Sequence, residues 1–455
     1  MCIDADCQCA CDERFAAYVQ DVLNHVKAKD MHKQISDELL DHLWSAQEEA
    51  VGSGFSALEA AESSMKQMGP AKQLADTFNL IHRHRWPWEI WGLVAVWIMI
   101  YLIAFISHEL SVNSLTSSYE GEYSFIASRI FYLGMGLLIF TAAILIHYRR
   151  WLHGGVWLYV LVLGLFLLGK ISSMGGNMIG SRSYLAGLGG AIDIGALSPF
   201  VFLLAFLLTV HHIGTLNVLR HRMLLFIMGF TPIFIYVYEY RMYQLLFYLL
   251  GMAGLLLLLK RYKLMLYGMI SLCIGGGVVL STNYELLNYI TRRLEGWPAP
   301  IFDPSLDYGY RAIREALTSA GWWGEGIGSL LPVPHTISDN LSVFVVHTFG
   351  WSAGLLMLVV MGMLIYGLHR AALAVPHRLG RLIMQLVPML LSIKILIYLC
   401  GIIGIIPLNG AGLPMLGAGG HSENIGWLFM FGVFSSVYIR KDIIPLLQDD
   451  SAPIK

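Results

Sequence analysis

Two carboxylates at i and i+4, Asp303 and Asp307 in IFDPSLDYGY, follow shortly after a pair of arginines, Arg292 and Arg293, in YITRRL. An ionised carboxylate can take the proton of an attacking hydroxyl, and guanidinium forks suit the oxygens of a phosphate or pyrophosphate. His335 and Asp339 are also spaced i, i+4; on one helical face they could hold a cation. Each feature has an ordinary reading beside the chemical one. Asp-Pro and Asp-Tyr-Gly are common turn formers. Arginines near the end of an apolar span snorkel to the interface. Ser338 or Asp339 suits the N-cap of a helix starting near Leu341. Arg311 and Arg314 read as a short helix with Glu315 and pair with local carboxylates.

All these residues lie in one long polar connection, 282–340, inside an otherwise apolar run. A connection of this length in a compact protein is either functional or disordered. This one carries Trp297, Trp322 and Trp323, and disordered segments are poor in aromatics, so an ordered, functional loop is expected.

The elements that must position the loop are membrane helices. The chain has 455 residues, 56% hydrophobic and 13% charged, with mean hydropathy +0.61. Soluble domains carry about 25% charged residues, so half that value with repeated long apolar runs means a polytopic membrane protein. A net charge of −1 gives no electrostatic basis for nucleic-acid binding. The polar N-terminus, with the first apolar run near Trp86, reads as lacking a cleavable signal peptide. Cys2, Cys7, Cys9 and Cys11 do not follow the usual two-residue zinc spacing and read as reduced cytosolic thiols. Cys273 and Cys400 fall in apolar segments as packing residues.

The expected fold class is all-α: about ten transmembrane helices behind a small soluble N-terminal helical bundle. Residues 1–85 form a cytoplasmic module of four short amphipathic helices. Its markers are a Gly-rich break at Gly52 and Gly54, a capping-box pattern at Ser56 and Glu59, and Gly69-Pro70 before the last helix. Residues 86–445 hold spans near 88–107, 126–148, 151–170, 197–214, 221–239, 242–260, 263–281, 341–367, 381–403 and 423–439. Arg149-Arg150, Arg220 to Arg222, Lys260 to Lys263, Arg370 to Arg381 and Arg440-Lys441 then fall on one side. By the positive-inside rule that side is cytoplasmic. Both termini are expected in the cytoplasm and the 282–340 loop outside. In this reading Lys170 and Asp193 are interfacial. The span middles are almost free of acids and bases, His347 being the notable exception.

At this point the residues resemble a family. The order ELLDHL, Gly-rich break, AL-EAA, MG-P-A in residues 1–85 is similar to the short prefix domains found ahead of permeases in Gram-positive bacteria. Four further segments resemble, in order, the SEDS proteins (FtsW, RodA and SpoVE-like): GSRSYLAGLGGAIDIGALSPF at 180–200, YITRRL with IFDPSLDYGY at 289–310, WWGEGIGSLLPVPHTISDNLSVFVVHTFGWSAG at 322–354, and IIPLNGAGLPMLGAGGHSENIG at 405–426. The likeness covers residues 90–440. It departs from the family pattern at Ser198-Pro199-Phe200, at YVYEYRMYQ, at His347-Thr348 and at Gly417-Ala418-Gly419-Gly420.

The resemblance implies a peptidoglycan glycosyltransferase in the bacterial cytoplasmic membrane, inverting at the sugar and serving cell elongation, division or sporulation. Its substrate would be lipid II, its released product undecaprenyl pyrophosphate, and its partner a class B penicillin-binding protein. Asp307 then matches the loop aspartate as base, with Asp303 the alternative if Asp-Pro is the anchor. Arg182, Arg292 and Arg293 become substrate-binding candidates, with His335 and Asp339. Gly419 and Gly420 belong to a loop expected to line a headgroup cavity, because such a backbone enters the membrane only where protein or water satisfies it. No metal ligand set is assigned; a divalent cation at the pyrophosphate is the one cofactor the chemistry leaves open. Two other readings stand beside this one. A lipid-carrier flippase would place charges near the bilayer midplane on broken helices. A catalytically impaired homologue would serve as a scaffold.

Overall fold

The computed structural model describes residues 5–27, 29–81, 86–113, 123–146, 148–174, 183–187, 190–213, 219–294, 308–329, 340–407, 412–416 and 421–440. The chain divides into two compact units, the second beginning at Pro87.

The first unit contains α1 (Ala5–His25), α2 (His32–Gly52), α3 (Ala57–Met68) and α4 (Ala71–Ile81). Their apolar stripes close over Phe15, Val22, Ile35, Leu43, Ala61 and Ala75. Ser56 caps α3, accepting from the Glu59 amide while the Glu59 carboxylate accepts from the Ser56 amide. The Ser56 hydroxyl, which also donates to that carboxylate at 2.7 Å, and then the Ser56 amide hold the Glu59 carboxyl below its usual range.

The second unit begins with α5 (Trp88–Asn113), α6 (Tyr123–Leu145) and α7 (Tyr148–Met174). A short antiparallel hairpin follows, β1 (Tyr184–Gly187) and β2 (Gly190–Asp193), with Tyr184 opposite Asp193. Then come α8 (Ile194–Ile213), α9 (Leu219–Tyr238), α10 (Met242–Leu258), α11 (Tyr262–Thr282) and α12 (Tyr284–Leu294), and then α13 (Tyr308–Ser319), α14 (Leu341–Phe349), α15 (Trp351–Leu373), α16 (Arg378–Ile403) and α17 (His421–Ile439). Every apolar segment expected from the sequence is occupied by helix. Among the described residues, seven of these helices are long and apolar enough to cross a membrane, and two more are shorter apolar helices. The helix at the centre is α8: 83% of its apolar window is buried, against none for α11. Its sequence, IGALSPFVFLLAFLLTV, is apolar all round, as a helix enclosed by other helices must be. The hairpin is the one departure from an all-helical chain among the described residues.

A second difference lies in the expected span 341–367. It is not one helix: it breaks at Gly350, where φ is +87°, between α14 and α15. A break inside a membrane protein frees backbone groups that lipid cannot satisfy. Here the turn after α13 satisfies them. The Glu325 amide donates to the His347 carbonyl at 2.9 Å, the Gly326 amide to Thr348 at 3.1 Å, and the Trp351 amide to Gly321 at 3.0 Å. The Trp351 indole donates to the Leu317 carbonyl at 3.0 Å. α13 itself, amphipathic, lays Ala312, Ile313 and Ala316 on Val343 of α14. The residue preceding α14 is Asn340, with no side-chain cap bond; Ser338 and Asp339 lie outside the described residues.

The lock needs glycine on both sides. A Cβ on Gly350 would fall on the Trp322 carbonyl, and one on Gly324 on the Thr348 carbonyl. Both residues also have positive φ, where an L side chain is strained. Gly350→Ala and Gly324→Ala should each lower the melting temperature of the purified protein in detergent. Gly362→Ala in α15, with open space around it, should leave it unchanged or raise it, as helix propensity alone dictates. Equal effects at the three positions would contradict the lock.

Candidate active site

Most charged groups that the membrane unit buries gather at one end of the bundle, where the hairpin, the α9–α10 turn, the end of α16 and the start of α17 meet. Arg241 is the hub. Its side chain is 1% exposed, and it pairs with Asp193, Nη1 donating to Oδ2 at 2.8 Å and Nη2 lying 2.7 Å from Oδ1 without a hydrogen bond. Its Nε donates to Glu239 Oε2 at 2.6 Å. The Ser183 hydroxyl donates to the other Glu239 oxygen at 2.5 Å, and the guanidinium stands 5.9 Å from the Tyr184 ring centroid. Burial alone would lower the Arg241 pKa; Asp193 and Glu239 outweigh it and raise it. Asp193 also begins α8, accepting from the Gly195 amide at 2.9 Å and the Ala196 amide at 3.3 Å. Helix N-termini favour such a carboxylate.

A second pair adjoins the first. Lys394, 1% exposed, lies well inside α16 and pairs with Glu423 in the first turn of α17 at 2.7 Å. Its ammonium also donates to the Tyr243 hydroxyl and stands 4.2 Å from that ring's centroid. Glu423 Oε1 accepts from the Trp427 indole at 3.3 Å. The two clusters are stitched together by the Asp193 amide, which donates to the Ser422 hydroxyl at 2.7 Å.

The described residues of the connection before α17 are tied to the bundle. Leu413, Met415 and Leu416 are buried. The Trp97 indole donates to the Pro414 carbonyl at 2.9 Å, and the Tyr310 hydroxyl, from α13, donates to the Ile406 carbonyl at 2.9 Å. His347 is buried in α14, its Nδ1 3.2 Å from the Ser319 hydroxyl and 3.3 Å from the Ala316 carbonyl. These contacts tie α14 to α13.

Of the sequence candidates, Arg292 is exposed on α12 and Arg293 is the next residue of that helix. Asp303, Asp307, Arg182, His335, Asp339, Gly419 and Gly420 lie outside the described residues. Asp193 caps α8 and anchors Arg241. Arg311 lies 5.7 Å from the Tyr308 ring centroid, with no carboxylate bridge among the described residues. His347 is not alone in the spans, since Lys394 sits within 381–403. A lysine inside an apolar run is itself a functional signal, and that rule points to Lys394 from sequence alone.

The geometry also says what these carboxylates do. Asp193, Glu239 and Glu423 each accept from a buried cation and from further donors. Among the described residues, no group of three His, Cys, Asp or Glu side chains could hold a metal ion.

Removing Arg241 would leave two buried carboxylates without their cation, which costs about 3–5 kcal/mol. Arg241→Met should therefore lose most of the thermal stability of the detergent-solubilised protein. Arg241→Lys should rescue little of it, because a point ammonium cannot serve three oxygens in fixed directions. Wild-type stability in Arg241→Lys would show that charge alone suffices there.

Comparison with known proteins agrees with this architecture. A family model for FtsW, RodA and SpoVE, described as cell cycle protein, matches residues 88–442. The probable peptidoglycan glycosyltransferase FtsW of Lactococcus lactis is 28% identical over 155 residues, 33% of this chain and 36% of that protein. Stage V sporulation protein E of Bacillus subtilis is 29% identical over 178 residues, 37% of this chain and 46% of its own. The peptidoglycan glycosyltransferase RodA of Mycobacterium tuberculosis is 30% identical over 146 residues, 30% of each chain. The matched stretches thus span less than half the length of these curated relatives. Among solved structures, the rod-shape-determining protein RodA of Thermus thermophilus superposes with a TM-score of 0.54 at 18% identity, over 79% of this chain and 98% of that one. A chain from a peptidoglycan synthase complex that coordinates polymerization and crosslinking gives 0.58 at 19%, over 77% and 98%. With its family model running from the first membrane helix to the last, and the same fold in its solved relatives, this chain belongs to the FtsW/RodA/SpoVE family of cell cycle proteins.

Proposed function

We propose that this protein is a peptidoglycan glycosyltransferase that polymerises lipid II at the outer face of the bacterial cytoplasmic membrane. The observation that carries the reading is the family match over the whole membrane unit, with relatives named for that activity. The basic residues on alternate connections support an orientation with both termini cytoplasmic. The buried ion pairs and the 282–340 loop then face outward.

In this mechanism a carboxylate takes the proton from a sugar hydroxyl as that oxygen attacks C1 of the donor sugar. The new C1–O bond forms with inversion while the bond from C1 to the pyrophosphate oxygen breaks. Undecaprenyl pyrophosphate leaves with the electron pair. Asp307 is the proposed base and Asp303 the alternative. The ion pairing of Asp193, Glu239 and Glu423 with Arg241 and Lys394 favours an assignment to the loop. Arg292, Arg293 and Arg182 would offset the charge on the departing pyrophosphate. His335 and Asp339 would orient the loop or hold a divalent cation beside it. Gly419 and Gly420 would let the sugar headgroup approach the backbone. Crosslinking would come from a class B penicillin-binding protein, a reading supported by the synthase complex among the structural neighbours.

Transport is the weaker reading. Lys394 has the buried charge that a flippase would need, and the Gly350 break gives a broken helix. Lys394, however, already holds Glu423 and Tyr243, and backbone from residues 321–326 fills the break. Neither is open to a cargo.

Purified full-length protein, with its penicillin-binding partner where required, should convert lipid II to glycan polymer. Asp307→Ala should lower the rate at least about 100-fold, the scale of a lost general base; Asp303→Ala should cost much less. The reverse ranking would move the base to Asp303. Full activity in both variants would remove the loop carboxylates from the chemistry.

A further inference from the structure

We infer that the turn following α13, residues 320–328, is a membrane anchor: Trp322, Trp323 and Ile327 seat in the lipid interface of the leaflet on their own side. The inference stands apart from the glycosyltransferase reading and needs only that the apolar helices span a bilayer.

The turn is built to present these side chains. Trp322 is 68% exposed, Trp323 85% and Ile327 58%, in a chain that buries Trp97 and Trp427. Gly321, Gly324, Gly326 and Gly328 all have positive φ, the region glycine enters without strain. The other residues of this stretch are Trp322, Trp323, Glu325 and Ile327, and all four are exposed.

Bonds to two spans fix the depth of the turn. The Trp351 amide donates to the Gly321 carbonyl at 3.0 Å, and Trp351 is the first residue of the apolar span in α15, Trp351–Leu373. The Gly328 amide donates to the Ser111 hydroxyl at 2.9 Å, and Ser111 is the last residue of the apolar span in α5, Trp88–Ser111. One span ends and the other begins at this level, so the turn sits where both leave the hydrocarbon. Beyond Trp351, the exposed residues of α15 include Leu355, Leu356, Val359 and Met363. The tryptophan surface therefore continues into a lipid-facing one.

Lipid fits this surface better than a protein face does. An indole is a broad apolar body with one N–H donor, which water or headgroup oxygens can meet at the interface. Glu325 stands exposed between Trp323 and Ile327. At an interface it reaches water; under a docked apolar protein face it would be a buried, unpaired charge. Residues 320–329 contain no Lys or Arg, so the attraction is apolar and does not depend on anionic headgroups. The anchor sets the depth of α13, which packs on α14 through Ala312, Ile313, Ala316 and Val343.

The test uses full-length protein in vesicles of phosphatidylethanolamine and phosphatidylglycerol at high lipid-to-protein ratio. Bromine is carried either near the headgroup end of the acyl chains or near their termini. Wild-type emission minus that of Trp322→Phe/Trp323→Phe isolates the two indoles, and the Phe pair keeps the surface apolar. Trp157→Phe gives the same difference for an exposed indole inside a span, the reference for contact with lipid. Shallow bromine should quench the Trp322/Trp323 emission at least about twofold more than deep bromine or aqueous iodide, as for rings about 5–10 Å into the headgroup boundary. Quenching by iodide alone would put the turn in water and overturn the inference. Deep bromine quenching most would put it in the hydrocarbon and contradict the stated depth. Protection from all three quenchers would mean that a second copy covers the turn, and would also overturn it. Amide exchange in 308–319 should match wild type in the Phe pair and quicken in Trp322→Asp/Trp323→Asp. Exchange equal to wild type in the Asp pair would show that the two side chains anchor nothing.

Discussion

A charge taken out of water must bring its counter-charge with it, and one end of this bundle is organised by that requirement. Arg241 and Lys394 are each 1% exposed. Neither could be buried singly, because the desolvation of an isolated ion far exceeds any packing gain. Each is therefore obliged to draw carboxylates from other elements: Asp193 from the hairpin, Glu239 from the α9–α10 turn, Glu423 from α17. The hairpin, the turn and two helices are held in register as a consequence. Little else could position them, since helices in lipid gain nothing from the hydrophobic effect when they associate. The acids lie toward the end of the bundle and the bases inside it, so the partly exposed surface is the carboxylate side.

The second constraint is on backbone. The Gly350 break and the turn at 320–326 satisfy each other's amides and carbonyls, with α13 packed on α14 beneath them. The exposed Trp322 and Trp323 at this turn suit a membrane–water interface, where aromatic side chains anchor. The segment that carries the two candidate aspartates therefore enters a rigid α13 on one side and leaves a surface helix, α12, on the other.

The long apolar helices were plain from the sequence because hydropathy marks them directly, although seven long and two shorter ones are described where about ten spans were expected, and their charge asymmetry suggested an orientation. The sites were harder. Asp193 and Arg241 are far apart in the chain, and Glu239 beside Arg241 looked like an ordinary turn. Their pairing depends on helix packing that no local pattern encodes. The break at Gly350 is hidden because apolar, helix-forming residues flank it on both sides; only the positive φ distinguishes it from a helix-interior glycine. The hairpin YLAG–GAID is too short for a strand pattern. Lys394 was within reach of sequence reasoning, since one lysine in a long apolar run calls for a partner, although Glu423 could not have been named. Family likeness supplied the candidates in the 282–340 loop, and it did so through residue order more than through any single motif.

The central claim is that chemistry happens at the outer face, on the side of the 282–340 loop. It is tested most directly by reconstituting full-length protein, with its penicillin-binding partner, in liposomes in one known orientation, and supplying labelled lipid II in a single leaflet. The account predicts glycan polymer when the labelled headgroups share a side with the long loop, and none when they are confined to the opposite leaflet. Polymer formed from the opposite leaflet alone, or labelled lipid II crossing the bilayer without polymerisation, would contradict it.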